Sequence, residues 1–212
     1  MEILAVIAEI SIEEIKAGRI VKIPIFHWRY EDGGLHRNQL EILLTILLLE
    51  QPKEVLEVGT FFGQTTRGMA ECLPGARIHT VDLPPRVTVP RDVPGLDAHL
   101  VERRVVGREF LGRPCAERIV LHLCDTNTWD FREAGKPTFF FIDAAHSYEY
   151  VRNDSEKCLA LCEGEFVFLW HDYDASHPGV VRLIDEWDQL GRNVKRISGT
   201  SLAYWKGDVG IS

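Results

Sequence analysis

The sequence predicts an α/β fold: a mostly parallel sheet with helices on both faces. Two observations carry that expectation. From residue 37 onward, short apolar runs of strand length alternate with segments of helical period. Strands buried on both faces read as such continuous apolar runs. The runs also end in polar groups, at Gly59, Asp82, Asp125, Asp143 and His171–Asp172. Ligands on parallel sheets sit at the carboxyl ends of the strands. Acidic groups at four of these five ends therefore mark a site as well as a fold.

The elements follow in order. SIEEIKAG reads as a short helix, with Ser11 and Glu14 as a capping box and Gly18 as its stop. IPIFHWRYEDGG is aromatic, broken by proline and ended by glycine, so it reads as a loop. Leu40, Leu43, Leu44, Leu47 and Leu48 recur at helical spacing and Pro52 follows. EVLEVG (54–59) is a buried strand and GQTTRGMAECL the helix after it. RIHTVD (77–82) is the next strand. Residues 83–117 are rich in Pro, Gly and Arg, with room for one short helix at most. RIVLHL (118–123), TFFFID (138–143) and EFVFLW (165–170) are three further strands. Val151, Ser155, Cys158, Leu159 and Cys162 line one helical face, and Val180, Val181, Ile184 and Trp187 another. VKRIS and SLAYWK close the chain as two strands around a turn at Gly199–Thr200. Residues 1–36 form an arm or lid and 37–212 the main domain.

A chain of 212 residues with 45% apolar and 26% charged residues suits one soluble globular domain. A net charge of -8 disfavours nucleic acid as a partner. The five cysteines are odd in number and form no C-x-x-C, so they read as buried small hydrophobes in a reducing cytoplasm. MEILAVIAEI has no basic start and does not read as a signal peptide. ILLTILLL is too short to span a bilayer, so no membrane role is expected.

In EVLEVGTFFGQTT, Gly59 and Gly63 let the backbone turn tightly and approach a ligand. Glu57 is an acid inside an apolar strand, costly to bury without a partner. Asp82, at the end of the next strand, can accept hydrogen bonds from ribose hydroxyls. Asp125 reads equally as a turn residue after its strand.

This pattern, E-x-G-x-x-x-G-x-T followed by VDL and CDTNTWDF, resembles the class I S-adenosylmethionine-dependent methyltransferases over roughly residues 37–206. The resemblance implies a Rossmann-like sheet of seven strands whose last strand is antiparallel. It places Glu57, Gly59 and Gly63 by the methionine part of S-adenosylmethionine, Asp82 at the ribose and Asp125 near the adenine. Thr60, Thr65, Leu83, Thr126 and Asp143 join the implied cofactor contacts. FIDAAHSYE and WHDYD are similar to a narrower group, the metal-dependent small-molecule O-methyltransferases that include enzymes acting on macrolide sugars. That resemblance implies a divalent metal ion, magnesium or a transition metal, at Asp143, His171 and Asp172, with His146 as the catalytic base beside Asp143.

Two departures stand out. Ala145 replaces a second aspartate of many relatives, and His171 replaces an acid, although magnesium prefers oxygen ligands. His177, ahead of Pro178–Gly179, reads as a helix-start residue. Tyr148 and Tyr150 read equally as pocket lining or packing. The loop of Phe26, His27, Trp28, Arg29 and Tyr30 either closes over a small-molecule hydroxyl acceptor or packs against a second subunit of a homo-oligomer. Two other readings compete. An NAD-linked oxidoreductase lacks its glycine fingerprint here, and an inactive cofactor-binding partner or sensor is opposed by Asp143, His146 and Asp172.

Overall fold

The computed structural model describes residues 7–24, 28–85, 102 and 104–210. Phe26, His27 and, within the segment expected to hold one short helix, residues 86–101 and 103 lie outside the described residues. The elements are β1 (Glu9–Ile10), α1 (Ile12–Lys16), α2 (Arg37–Glu50), β2 (Glu54–Val58), α3 (Gln64–Cys72), β3 (Arg77–Asp82), β4 (Ile119–Leu123), β5 (Phe139–Ile142), α4 (Tyr148–Leu159), β6 (Glu165–Trp170), α5 (Pro178–Trp187), β7 (Lys195–Ile197) and β8 (Ala203–Asp208).

They form one sheet in the order β1-β7-β8-β6-β5-β2-β3-β4. β8 runs antiparallel to β6 and β7, and the other pairings are parallel. The order reverses between β2 and β5, which makes their carboxyl ends the switch point where a ligand crevice opens. The sheet has one strand more than expected, because Glu9 and Ile10 pair with Arg196 and Ile197 at the outer edge. Two residues are too few to carry an alternating pattern, so this strand was invisible in the sequence.

The phenylalanine run is explained by the pleat. Phe139 and Phe141 enter the core layer beneath α2 and α3 with Leu43, Leu44 and Met69. Phe140 and Ile142 enter the opposite layer, under α4 and α5, with Phe168, Trp170 and Leu183. Successive side chains of a strand point to opposite faces, so a central strand covered on both sides needs an apolar residue at every position. β5 is fully buried over its four residues and ends as soon as Asp143 is reached.

Gly59 fixes how closely the switch-point strands meet. It has φ 105, and a Cβ there would lie 2.0 Å from the Asp143 carbonyl oxygen. Gly59→Ala is therefore expected to lower stability by about 1–3 kcal/mol from backbone strain, before the clash is counted. A shift of the urea midpoint below wild type checks this; an unchanged midpoint contradicts it.

Candidate active site

The turn after β2 builds one wall of a cavity of about 670 Å³. Gly59, Thr60, Gly63, Thr65 and Asp143, all expected from the sequence, line it. Arg29 and Tyr30 of the aromatic loop face it from the other side, together with Arg108 and Glu109. Arg108 ties the walls together. It pairs with Glu31 and stacks 3.6 Å over the Phe62 ring. Residues 107–110 do not stand out in the sequence, where 83–117 is simply rich in Pro, Gly and Arg. The one local signal was Gly107, which takes φ 73 in the turn against Phe61.

Glu57 lies beneath this turn, fully buried. One carboxylate oxygen accepts from the hydroxyls of Thr66 and Thr80, while Oε1 is buried without a hydrogen-bond partner. Burial pushes its pKa up from the ordinary 4.5 to about 8, against the pull of the two hydroxyls. The native protein thus keeps the Glu57 proton over a range in which the unfolded chain has released it. Stability attributable to this group is then present below about 4.5 and falls as pH rises to about 8. Glu57→Gln is expected to flatten that slope in urea titrations at several pH values; an unchanged slope would show that another group causes it.

Asp82 closes β3 beside the same turn. Its Oδ2 accepts from Phe61 N at 2.7 Å, and its Oδ1 accepts from Leu83 N at 2.7 Å and Arg104 Nη2 at 2.8 Å. A carboxylate has about four acceptor positions, so room remains on Oδ2. Burial raises its pKa, opposed by Arg104 and the two backbone donors. Asp125 and Thr126 end the edge strand β4. Asp125 accepts from Asn127 N at 2.9 Å, as a turn residue does. The Thr126 carbonyl accepts from Lys157 Nζ. None of Glu57, Asp82, Leu83, Asp125 and Thr126 is on the cavity wall.

The ends of β5 and β6 carry a second cluster. Their register places His171 next to Asp143, with His171 N bonded to Ile142 O at 3.1 Å. His171 Nδ1 lies 3.0 Å from Asp143 Oδ1 and 3.2 Å from Asp172 Oδ1. His146 Nε2 lies 2.8 Å from Asp172 Oδ2. Asp172 itself sits at φ 61, a left-handed conformation seldom taken by residues other than Gly, Asn or Asp.

Burial disfavours a charged His171, but the Asp143 charge and hydrogen bond, helped by Asp172, hold its pKa up at about 10. Burial would raise Asp172, yet hydrogen bonds from His146 and His171 hold it well below the usual carboxylate range. The cluster thus favours a charged His171 ring facing Asp143 and Asp172, with His146 on the far oxygen of Asp172. Asp143, His171 and Asp172 offer donor atoms all within 4.8 Å of one another, as do His146, Asp172 and His177.

Tyr148 faces away from this chemistry. Its hydroxyl donates to Glu186 Oε2 at 2.6 Å, and Arg182 lies 3.9 Å over its ring. It packs α4 against α5. Tyr150 is not on the cavity wall. The five cysteines are free thiols. Among the described residues no helix is long and apolar enough to cross a membrane.

The chain matches the family described as "Methyltransferase domain" over residues 56–173. Among solved structures it is similar to the O-methyltransferase TomG of Streptomyces achromogenes, involved in tomaymycin synthesis and crystallised with SAM. Identity is 17%, over 82% of this chain and 81% of that one, with a TM-score of 0.56. It is similar also to an O-methyltransferase from Bacillus cereus in complex with SAH, at 16% identity over 93% of this chain and 88% of that one, with a TM-score of 0.58. The SAH-bound methyltransferase PaMTH1 of Podospora anserina gives 16% identity, 83% and 81% coverage and a TM-score of 0.59. At these identities the shared property is the fold.

Proposed function

The chain belongs to a methyltransferase-domain family, and from that premise we propose that it transfers a methyl group from S-adenosylmethionine to a hydroxyl of a small molecule, with His146 as the base. The observation that carries this reading is the Asp172–His146 contact of 2.8 Å at the rim of the switch-point crevice. A hydroxyl is a weak nucleophile at neutral pH and needs a base positioned to take its proton. In this reading the Nε2 proton of His146 faces Asp172. Nδ1 is then the atom that accepts the acceptor's proton, and the Asp172 carboxylate stabilises the imidazolium that forms.

Two groups suit the cofactor. The uncoordinated Oε1 of Glu57 and the turn at Gly59–Thr65 fit the amino-acid end, and the open position on Asp82 Oδ2 fits a ribose hydroxyl. When bound, S-adenosylmethionine supplies an activated methyl group. The protein's task is alignment and exclusion of water. Asp125 and Thr126 lie at the end of the strand that would face the adenine.

The donor set of Asp143, His171 and Asp172 also fits a divalent metal ion. One imidazole and two carboxylates favour a transition metal over magnesium. Such an ion would take the place of the proton that His171 shares with the two carboxylates, and would supply positive charge next to the developing oxyanion. Arg29 and Tyr30 on the cavity wall suit an aromatic or glycosylated acceptor. A small-molecule partner, no nucleic acid, no membrane and a cytoplasmic location complete the reading, and the N-terminal loop leaves a homo-oligomer open.

Calorimetric titration separates the cofactors. Binding of S-adenosylmethionine and not of NAD is expected, and the reverse sinks the proposal. Turnover over a panel of hydroxylated acceptors tests the chemistry. Exhaustive chelation is expected to lower it at least about tenfold; full turnover after chelation removes the metal and leaves the methyl transfer.

A further inference from the structure

We propose that His146, Asp172 and His177 form a binding site for one divalent transition-metal ion of the zinc, cobalt or nickel class, separate from the Asp143–His171–Asp172 triad. An ion held there withdraws His146 from proton transfer. This second half rests on His146 being the base; the binding itself does not.

His177 is the residue that makes the site. In sequence it is the residue ahead of α5, with Pro178 at the first helical position. In space its Nδ1 lies 3.7 Å from Asp172 Oδ1, and its ring centroid is 4.4 Å from that of His146 with the planes tilted by 54°. Gly179 brings this about. A Cβ there would lie 2.3 Å from the His146 carbonyl oxygen and 2.5 Å from Tyr148 N, so only glycine seats the head of α5 on the start of α4. Asp174 Oδ1 lies 3.1 Å from the same His177 Nδ1, a contact that an ion bound there would displace. All three side chains are largely withdrawn from solvent, at 17%, 12% and 26% exposure for His146, Asp172 and His177.

Both clusters suit transition metals; they differ in that this one offers a second imidazole and one carboxylate fewer. Two imidazoles and one carboxylate select borderline transition metals and serve magnesium poorly. An ion seated between His146 Nε2 and Asp172 Oδ2 replaces the proton now bridging them. Asp172 is common to both clusters, so an ion at either one changes the charge that the other sees.

The test uses the full chain and cobalt(II), read by its visible absorption and by calorimetry. Asp143→Asn, which disables the triad, is expected to retain a cobalt ion, and adding His177→Ala to that variant is expected to weaken its binding at least tenfold. His177→Gln, checked by its thermal midpoint, guards against loss of the site through misfolding. It should weaken binding in the same way. In the Asp143→Asn background, cobalt binding that survives both His177 substitutions overturns the proposal, as does loss of all cobalt binding in Asp143→Asn alone. Cobalt beyond the amount that fills the triad should also inhibit turnover in wild type and do so at least tenfold less readily in His177→Gln. If no methyl transfer is found with any acceptor and cobalt binding still depends on His177, the functional reading fails while this site stands.

Discussion

Replacing His146 with alanine is expected to reduce turnover by about 10²–10⁴-fold while S-adenosylmethionine affinity stays at its wild-type value. The size follows from the loss of a positioned base. The selectivity follows from place: His146 lies on the β5–α4 connection against Asp172, and it is absent from the wall formed by the turn after β2. The fold should tolerate the change. His146 is half-buried, and Asp172 retains His171 at 3.2 Å. A second readout separates catalysis from support. The limb of the pH–rate profile that reports deprotonation of the base should vanish in the alanine variant, with the other limb kept. Wild-type turnover, or a loss confined to cofactor binding, would place the base elsewhere.

Asp82→Ala is expected to weaken S-adenosylmethionine binding by about 2–4 kcal/mol, roughly 30- to 1000-fold, through the loss of charge-assisted hydrogen bonds to the ribose. The substitution also removes the carboxylate that receives Arg104, whose side chain is 3% exposed. Removing one partner of a buried ion pair costs about 3–5 kcal/mol, so the folded fraction must be measured alongside. Asp82→Asn keeps the volume and part of the hydrogen bonding, and it should lose affinity with a smaller loss of stability. Unchanged calorimetric affinity in a folded variant would remove Asp82 from the ribose site.

The strands and long helices were legible because each carries its own signal. The capping box of Ser11 and Glu14, the leucine spacing of α2 and the apolar runs of β2, β3, β5 and β6 are local patterns. The acids at the strand ends were legible for the same reason, since a charge terminating an apolar run is a local event. Pairing between distant residues was not. Arg104 bonds to Asp82, 22 residues earlier in the chain, and nothing beside it in the sequence announces that partner. His177 reads as a residue ahead of a helix, and only the glycine contact at the head of α5 brings it to Asp172. β1 adds an edge strand through two residues, too short for any period.

The burial of β5 on both faces has a consequence for how such a protein changes. Its four residues are held by the two core layers, and of the four residues that follow only Ala144 packs on that core. Asp143, Ala144, Ala145 and His146 sit beyond that anchor, partly open to solvent. Anchorage and chemistry are thus written in adjacent but separable stretches of four residues each. A library randomised at Ala145, a small side chain outside both core layers, with Asp143, Ala144 and His146 left in place, should yield mostly folded proteins, and new acceptor preferences can be screened there without first rebuilding the sheet.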